Sequence, residues 1–449
     1  MARRFRRIHR LALPGEVFAG DATRWMEQEL AGREILDWWR SLLSERLTGA
    51  SPQPLSFYLH VPFCRSRCRY CQFDSLVPAD EGALETFVGD MEEEARCFLE
   101  ALGPVSTTTV AVGGGTPSLL TEAHWERLTR ALFEGLVHRP AGAYFSVEMN
   151  PDTTTAGKVA ILAAAGANRL SLGVQSLSED ALRKSGRSYQ DLAGLERAVR
   201  DVRTAPSLHL NLDLLAPLAG ETFGSFREGV EGVLALDPDA VTLYRYQSVI
   251  RGGQRLEPGL FAFEAASREL IEAGEAAGYG FRLETRTATI LMRRAPEWAD
   301  SRYEHHPDTP ASVMAFGPFG ESHVYGHGLY RTVFRDDGGM AHRGTRVSRE
   351  WECRSYAARL VARMQPIDRV DFERRFGRDP GDLFRDEFGF LEEVGRMELG
   401  KETIRPLFRD AAEAGLYAGL MFDDETIEHL ARLQASREHG RLNTDDGRR

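Results

Sequence analysis

Three cysteines crowd into one short stretch of this chain, His60-Val-Pro-Phe-Cys64-Arg-Ser-Arg-Cys68-Arg-Tyr-Cys71. Thiolates spaced this closely in a loop can ligate three irons of a [4Fe–4S] cluster and leave the fourth iron without a protein ligand. Arg65, Arg67 and Arg69 alternate with them and are expected to lower the thiolate pKa and offset the cluster's negative charge. The competing chemistry is a zinc site of three cysteines and a histidine, with His60 or a distant His as fourth ligand. Zinc sites more often pair C-x2-C units. Cys97 and Cys353 stand alone and read as packing residues.

Further polar residues fall where short apolar runs end. Gly113-Gly-Gly-Thr-Pro117 follows one run, Glu148-Met-Asn-Pro151 a second, Gln175 a third with Arg187 twelve residues on, and Asp213 closes Asn211-Leu-Asp213 in a fourth. Glycine lets backbone groups approach a ligand, although a tight turn needs it equally. Glu148 can accept ribose hydroxyls or hold an ammonium group, and Arg187 can meet a carboxylate in fork geometry. The plain alternatives are an exposed loop acid and structural salt bridges.

The elements that must position these groups alternate. Predicted strands at residues 56–61, 108–112, 144–149, 169–173, 208–214 and 240–246 are each followed by a helical stretch, and a short strand near 280–284 closes the series. Such alternation predicts an α/β fold with a parallel sheet and right-handed crossovers. Six units fall short of a full barrel, so the expected architecture is an incomplete parallel (β/α)6 barrel, with an open doubly wound sheet as the alternative. Either way, functional groups gather at the carboxyl ends of the strands.

Residues 1–50 read as a helical arm starting near Asp21, with Trp25, Leu30, Ile35, Trp39 and Leu42 in helical rhythm, and residues 51–295 as the barrel. Residues 296–435 read as a mainly helical C-terminal domain. That domain begins with a Gly-, His- and aromatic-rich loop, Trp298 to Arg343, and has a possible small sheet near Leu416–Phe422; the polar tail 436–449 is expected to be disordered.

Composition narrows the class. Of 449 residues, 42% are apolar and 27% charged, an ordinary globular balance. The 56 basic and 67 acidic side chains give a net charge of −11, which argues against nucleic-acid binding. No apolar run is long enough to span a membrane, and the basic start lacks the apolar stretch of a secretory signal. Five cysteines with one tight group make a poor disulfide framework. A cytoplasmic monomer is expected.

The C-x3-C-x2-C loop, the glycine run and the strand-end Glu, Gln, Arg and Asp together resemble the radical S-adenosylmethionine (SAM) enzymes, in the branch like oxygen-independent coproporphyrinogen dehydrogenase (HemN-like). The resemblance covers roughly Ser56 to Glu284. It implies a [4Fe–4S] cluster on Cys64, Cys68 and Cys71, two SAM molecules, and a reductant such as flavodoxin or ferredoxin. It also implies that Tyr58, Gly113 and Glu148 contact the SAM at the cluster, and that Tyr70, Gly114, Gly115, Gln175, Arg187 and Asp213 contact the second. Gln247 falls near a further adenosine contact, and His323 lies in a segment, Phe316-Gly-Pro-Phe-Gly320-Glu-Ser-His323, similar to the loop that completes the site. The Arg-Tyr-Thr-Ser-Tyr-Pro segment of the porphyrinogen oxidases does not occur in residues 1–55, and Tyr303-Glu-His-His306 stands where haem chaperones carry His-Asn-x-x-Tyr-Trp. The expected subtype is therefore a class C methyltransferase or cyclopropanase, moving a SAM-derived methyl or methylene to an sp2 carbon of an aromatic or conjugated small molecule. Tyr303, Phe316, Phe319, Tyr325 and Tyr330 are its candidate acceptor wall. Porphyrin or haem metabolism, and haem carriage through His305, His306, His323, His327 or Cys353, are the alternatives.

Overall fold

The computed structural model describes residues 1–10, 28–48, 55–140, 142–246, 250–251, 254–255, 258–284, 288–294, 312–334, 340–409 and 411–432. The helix start near Asp21, Trp25, Gln247, Tyr303, His305, His306 and the tail lie outside them. The chain divides into two compact units, residues 56–303 with 315–320, and residues 1–55 with 304–314 and 321–449.

The first unit is built on parallel strands β1 (Leu55–Val61), β2 (Thr109–Gly114), β3 (Tyr144–Met149), β4 (Arg169–Gln175), β5 (His209–Ala216) and β6 (Ala240–Arg245). They neighbour one another in chain order. A doubly wound sheet reverses its order at a switch point; this one does not, so right-handed crossovers carry every helix to the same face and the sheet winds as a partial barrel. Strands β7 (Phe281–Glu284) and β8 (Ala288–Met292) form an antiparallel hairpin whose second strand pairs with β6.

Side chains alternate across this sheet. The helix-covered face carries Phe57, Leu59, Val110, Val112, Phe145, Val147, Leu170, Leu172, Leu210, Leu212, Val241 and Leu243, all buried. The opposite face carries Tyr58, His60, Glu148, Ser171, Asn211, Asp213, Thr242 and Tyr244. Polar capping residues start the covering helices: Asp80 caps α1 (Glu81–Leu102), Thr121 α2 (Glu122–Leu128), Thr155 α3 (Ala156–Ala164), Ser178 α4 (Glu179–Lys184), Asp191 α5 (Leu192–Val202) and Thr222 α6 (Phe223–Ala235). In each, the side-chain oxygen accepts a first-turn N–H, so the helix begins where the strand-to-helix loop ends.

The stretch expected to be loop is largely sheet among its described residues, most of it in the second unit. Ser312–Phe316, Glu321–Val324, Gly328–Phe334 and Met340–Arg346 are strands, and the last three form an antiparallel meander edged by Gln28–Leu30. Leu30 is thus a strand residue, and the arm's helix is Gly32–Leu47. The sheet near Leu416–Phe422 is instead a helix, Ala411–Ala418, with a 3-10 turn. The small sheet of this unit joins Ile367–Asp368, Thr403–Pro406 and Met397–Leu399. Phe372, Phe384, Phe388, Leu391, Ile404 and Phe422 fill its core, with Cys353 packed among them as expected. Cys97 is not a packing residue: it faces solvent from α1, one position before the buried Phe98.

Candidate functional site

The cysteine loop leaves β1 and is tied down at several points. Phe63 bridges Leu76, Cys64 N–H donates to the Leu76 carbonyl (2.8 Å), and Arg69 N–H donates to the Ser185 carbonyl (3.0 Å). These bonds need no bound group, so the loop's path is a property of the chain. Cys64, Cys68 and Cys71 are all partly exposed and unoxidised. Thr116 Oγ1 lies 3.5 Å from Cys64 Sγ, and Arg187 Nη1 lies 3.7 Å from Cys68 Sγ.

Three partly exposed thiols on one short loop are a donor set that suits a thiolate-held iron–sulfur cluster. Among the described residues, no three His, Cys, Asp or Glu side chains converge as ligands of a single ion would. His60, the proposed fourth zinc ligand, is buried, with Nδ1 3.2 Å from Tyr58 Oη and Nε2 3.2 Å from the Asp74 carbonyl. Both ring nitrogens are thus engaged elsewhere.

Arg187 is the hub behind the loop. Nη1 also donates to Tyr70 Oη (3.3 Å), and Nη2 reaches the Gly173 carbonyl (2.8 Å), Gln190 Oε1 (2.7 Å) and Asn150 Oδ1 (3.2 Å). Burial pushes the Tyr70 phenol well above its ordinary value against the pull of the Arg187 charge, so Tyr70 stays neutral. Arg187→Ala removes the bonds that join the loop to β4, and the expected result is a cluster that assembles in low yield and bleaches quickly. Arg187→Lys restores charge but not the fork. Iron content per chain and the decay of the visible chromophore measure it; wild-type loading in Arg187→Ala would contradict this role.

Behind the loop, the polar face of the sheet carries a chain of hydrogen bonds across β4, β5 and β6. Thr242 Oγ1 donates to Asn211 Oδ1 (2.8 Å), Asn211 Nδ2 to Asp213 Oδ1 (2.6 Å), and Ser171 Oγ to Asp213 Oδ2 (2.8 Å). Asp213 is therefore fixed in orientation. Glu148 and Tyr244 (44% exposed) keep accessible surface although protein surrounds them, which marks the lining of a hollow rather than a packed core. Burial and the neighbouring Asp213 charge push the Glu148 carboxyl up to about 7, against the Arg169 guanidinium and the Gly114 N–H. Burial likewise raises Asp213, opposed by Arg169 and its two hydrogen-bond donors.

The glycines have a structural reason. A Cβ on Gly113 would meet Glu148 Oε2 at 2.7 Å, one on Gly115 the Phe63 carbonyl at 2.5 Å, and Gly114, at φ 101°, lies against the His60 ring. The run lets β2 close on its own neighbours. Gln175 ends β4 in left-handed backbone, φ 69°, at a bulge, which turns its amide over Gly173.

Tyr58, Tyr70, Gly113, Gly114, Gly115, Glu148, Gln175, Arg187 and Asp213 all lie in the first unit, on the cysteine loop, on β1 to β5 or in the segments that follow them. His323 does not: it belongs to the second unit, where Nε2 sits 2.6 Å from the buried Glu352 carboxylate. The expected acceptor wall is mostly core. Phe316 packs on Phe57 and Phe98, Tyr330 accepts from Trp39 Nε1 (2.9 Å), and Tyr325 is buried, while Phe319 keeps some surface. Sequence reading passed over Arg169, which opens β4 beside Ser146 with its Nε buried and unpartnered. An arginine heading an apolar strand was the available signal.

Residues 58–228 match the model of the radical SAM superfamily. The heme chaperone HemW of Bacillus subtilis is 33% identical over 42% of this chain and 49% of its own length. The oxygen-independent coproporphyrinogen III oxidase of Paracoccus denitrificans is 33% identical over 43% of each chain. The chain thus spans about half the length of several curated relatives it matches. HemW of Escherichia coli aligns over 81% of this chain and 91% of its own at 26% identity. In fold, the solved coproporphyrinogen III oxidase (HemN) of E. coli superposes over 90% of this chain and 93% of its own, with a TM-score of 0.66 and 20% identity. Residues 58–228 are thus similar to the radical SAM superfamily, whose cofactors are a [4Fe–4S] cluster and SAM, and the chain is similar to the branch of these oxidases and chaperones.

Proposed function

We propose that this radical SAM chain is an enzyme of porphyrin or haem metabolism that places two SAM molecules between the cysteine loop and the polar face of β3 to β6. The observation that carries the reading is the juxtaposition of a loop of three partly exposed thiols with a hollow lined by Glu148, Asp213 and Tyr244. Cys64, Cys68 and Cys71 would hold the cluster, and with SAM it supplies one electron and a carbon radical able to remove hydrogen from an unreactive carbon. The chain's own residues do the positioning. Asp213, locked by Ser171 and Asn211, presents a carboxylate of fixed direction to a hydroxyl or ammonium donor. Arg169 supplies the countercharge that lets Glu148 and Asp213 ionise together inside the barrel. Arg187 and Asn150 join the loop to β4 and β3, fixing the distance between radical source and hollow.

The relatives favour a tetrapyrrole over the acceptors of SAM-methylene transfer, so coproporphyrinogen III is the first substrate to test. Haem carriage without turnover is the second reading, drawn from the HemW likeness. Against it, His323 is held by Glu352, and Cys353 is buried with its thiol pushed up to about 12. The reconstituted protein with dithionite and SAM should release 5′-deoxyadenosine, and more with coproporphyrinogen III, whose propionate carboxyl groups should leave as CO2 when a one-electron acceptor is added to take the electron left on the substrate radical. Tight stoichiometric haem binding with no SAM cleavage would establish the chaperone instead. SAM cleavage that labels 5′-deoxyadenosine from a trideuterated SAM methyl group would return the reaction to methyl transfer.

A further inference from the structure

Two of the three thiols meet hydrogen-bond donors that come from elsewhere in the barrel. Thr116 Oγ1 stands 3.5 Å from Cys64 Sγ, and Arg187 Nη1 stands 3.7 Å from Cys68 Sγ. Thr116 lies just past β2 and Arg187 just past α4. One side chain, Asn150 at the end of β3, touches both donors. Its Oδ1 lies 3.2 Å from Arg187 Nη2, and its Nδ2 lies 3.3 Å from Thr116 Oγ1.

The chemistry of these groups fixes the direction of each proton. A guanidinium only donates, so the side of the Asn150 amide that faces Arg187 is its carbonyl oxygen. The NH2 is then left to donate to Thr116 Oγ1. With that oxygen accepting, the single proton of the hydroxyl is left for Cys64 Sγ. Backbone bonds hold the partners in place. Thr116 N–H donates to the carbonyl of Phe63, the neighbour of Cys64 (2.6 Å), and Asn150 N–H donates to Ser118 Oγ (2.9 Å). The buried Lys158 pins the segments that follow β2 and β3, with Nζ donating to the Ser118 carbonyl (2.7 Å) and the Thr153 carbonyl (2.8 Å). Thr116 and Arg187 are themselves buried, so water does not readily replace them as donors.

We infer that Asn150 is a positioning residue that raises the reduction potential of the cluster, by aiming the Thr116 hydroxyl at Cys64 and the Arg187 guanidinium at Cys68. This rests on the proposed function, because it takes Cys64, Cys68 and Cys71 as the cluster's ligands. One electron added to a thiolate-held cluster increases the negative charge on its sulfurs, and no bond is made or broken. A donor aimed at a sulfur therefore stabilises the reduced form more than the oxidised form, which makes the cluster easier to reduce. The two arms depend on Asn150 unequally. Arg187 Nη2 has the Gly173 carbonyl and Gln190 Oε1 as further acceptors, whereas the Thr116 proton owes its direction to the Asn150 NH2.

The test is a redox titration of the reconstituted protein with dithionite, without SAM, in which the paramagnetic signal of the one-electron-reduced cluster reports the reduced fraction. Thr116→Val and Asn150→Ala should each lower the ratio of reduced to oxidised cluster, at the wild-type midpoint, by at least about threefold. The ratio is read per loaded cluster, so a lower yield of cluster does not mask it. Thr116→Ser keeps the hydroxyl and should return the ratio to that of wild type. In Asn150→Ala the hydroxyl has already lost its aim, so adding Thr116→Val should change the ratio little further. A smaller change in either single variant, or an equal fall in Thr116→Ser and Thr116→Val, would overturn the inference. Wild type that takes up no iron, or an unchanged iron content once all three cysteines are replaced, would instead sink the ligand assignment, so the two failures are separable.

Discussion

Replacing Cys64, Cys68 and Cys71 together by alanine is expected to abolish iron binding and leave the fold standing. Reconstituted wild type should carry about four irons per chain and the broad visible absorption of a [4Fe–4S] cluster, and the triple variant essentially none. The fold should survive because the loop's anchors are backbone bonds, Cys64 N–H to Leu76 and Arg69 N–H to Ser185, which alanine keeps. The cysteine side chains are partly exposed, so their truncation empties no core. Circular dichroism should therefore match wild type while 5′-deoxyadenosine formation vanishes. A full iron complement in the variant would place the cluster elsewhere. Zinc without iron in wild type prepared without oxygen would revive the zinc site, although His60 is committed to Tyr58 and Asp74.

The strand-helix alternation was legible because both signals are local. Each strand contributes an unbroken apolar alternate set to the helix-covered face, and each helix announces itself by Asp, Thr or Ser at its cap, as at Asp80, Ser178 and Asp191. The C-x3-C-x2-C loop was legible because its chemistry needs no tertiary context. Other features depended on partners distant in sequence. The Gly328–Phe334 and Met340–Arg346 strands were hidden by glycines and histidines. Gly344 is needed there because a Cβ would run into the Leu329 carbonyl, a clash invisible until the strands pair. The bonds of the Arg187 Nη atoms to Tyr70, Asn150, Gly173 and Gln190 join residues far apart in sequence, which no local pattern announces. Cys97 read as packed because its helix is amphipathic, but the buried stripe passes through Met91, Ala95 and Phe98 and leaves position 97 outside.

Substituting Glu148 by glutamine should raise stability above neutral pH and weaken SAM binding, two effects of one proton. The folded carboxyl titrates at about 7, above the 4.5 of a free glutamate. Between those values the folded chain holds a proton that the unfolded chain has released. Stability therefore falls as pH rises from about 4.5 to 7 and stays lower above it. A glutamine side chain carries no charge to desolvate beside Asp213, so the melting temperature of Glu148→Gln should exceed wild type at pH 8 and match it near pH 4. Binding runs the other way. A carboxylate that accepts ligand hydroxyl or ammonium groups works only when ionised, so wild-type SAM affinity should climb through pH 7. The variant should be weaker at pH 8 by about tenfold or more, the scale of a hydrogen bond to a charged group, with a flatter profile. The charges acting on Glu148 decide how steep the climb is: Asp213 resists its ionisation and Arg169 assists, with Tyr244 nearby. Removing Arg169's charge should move the wild-type midpoint upward, whereas the Glu148→Gln profile should not respond. Melting curves and SAM titrations at both pH values check this, and a variant that binds SAM as tightly as wild type at pH 8 would remove Glu148 from the site.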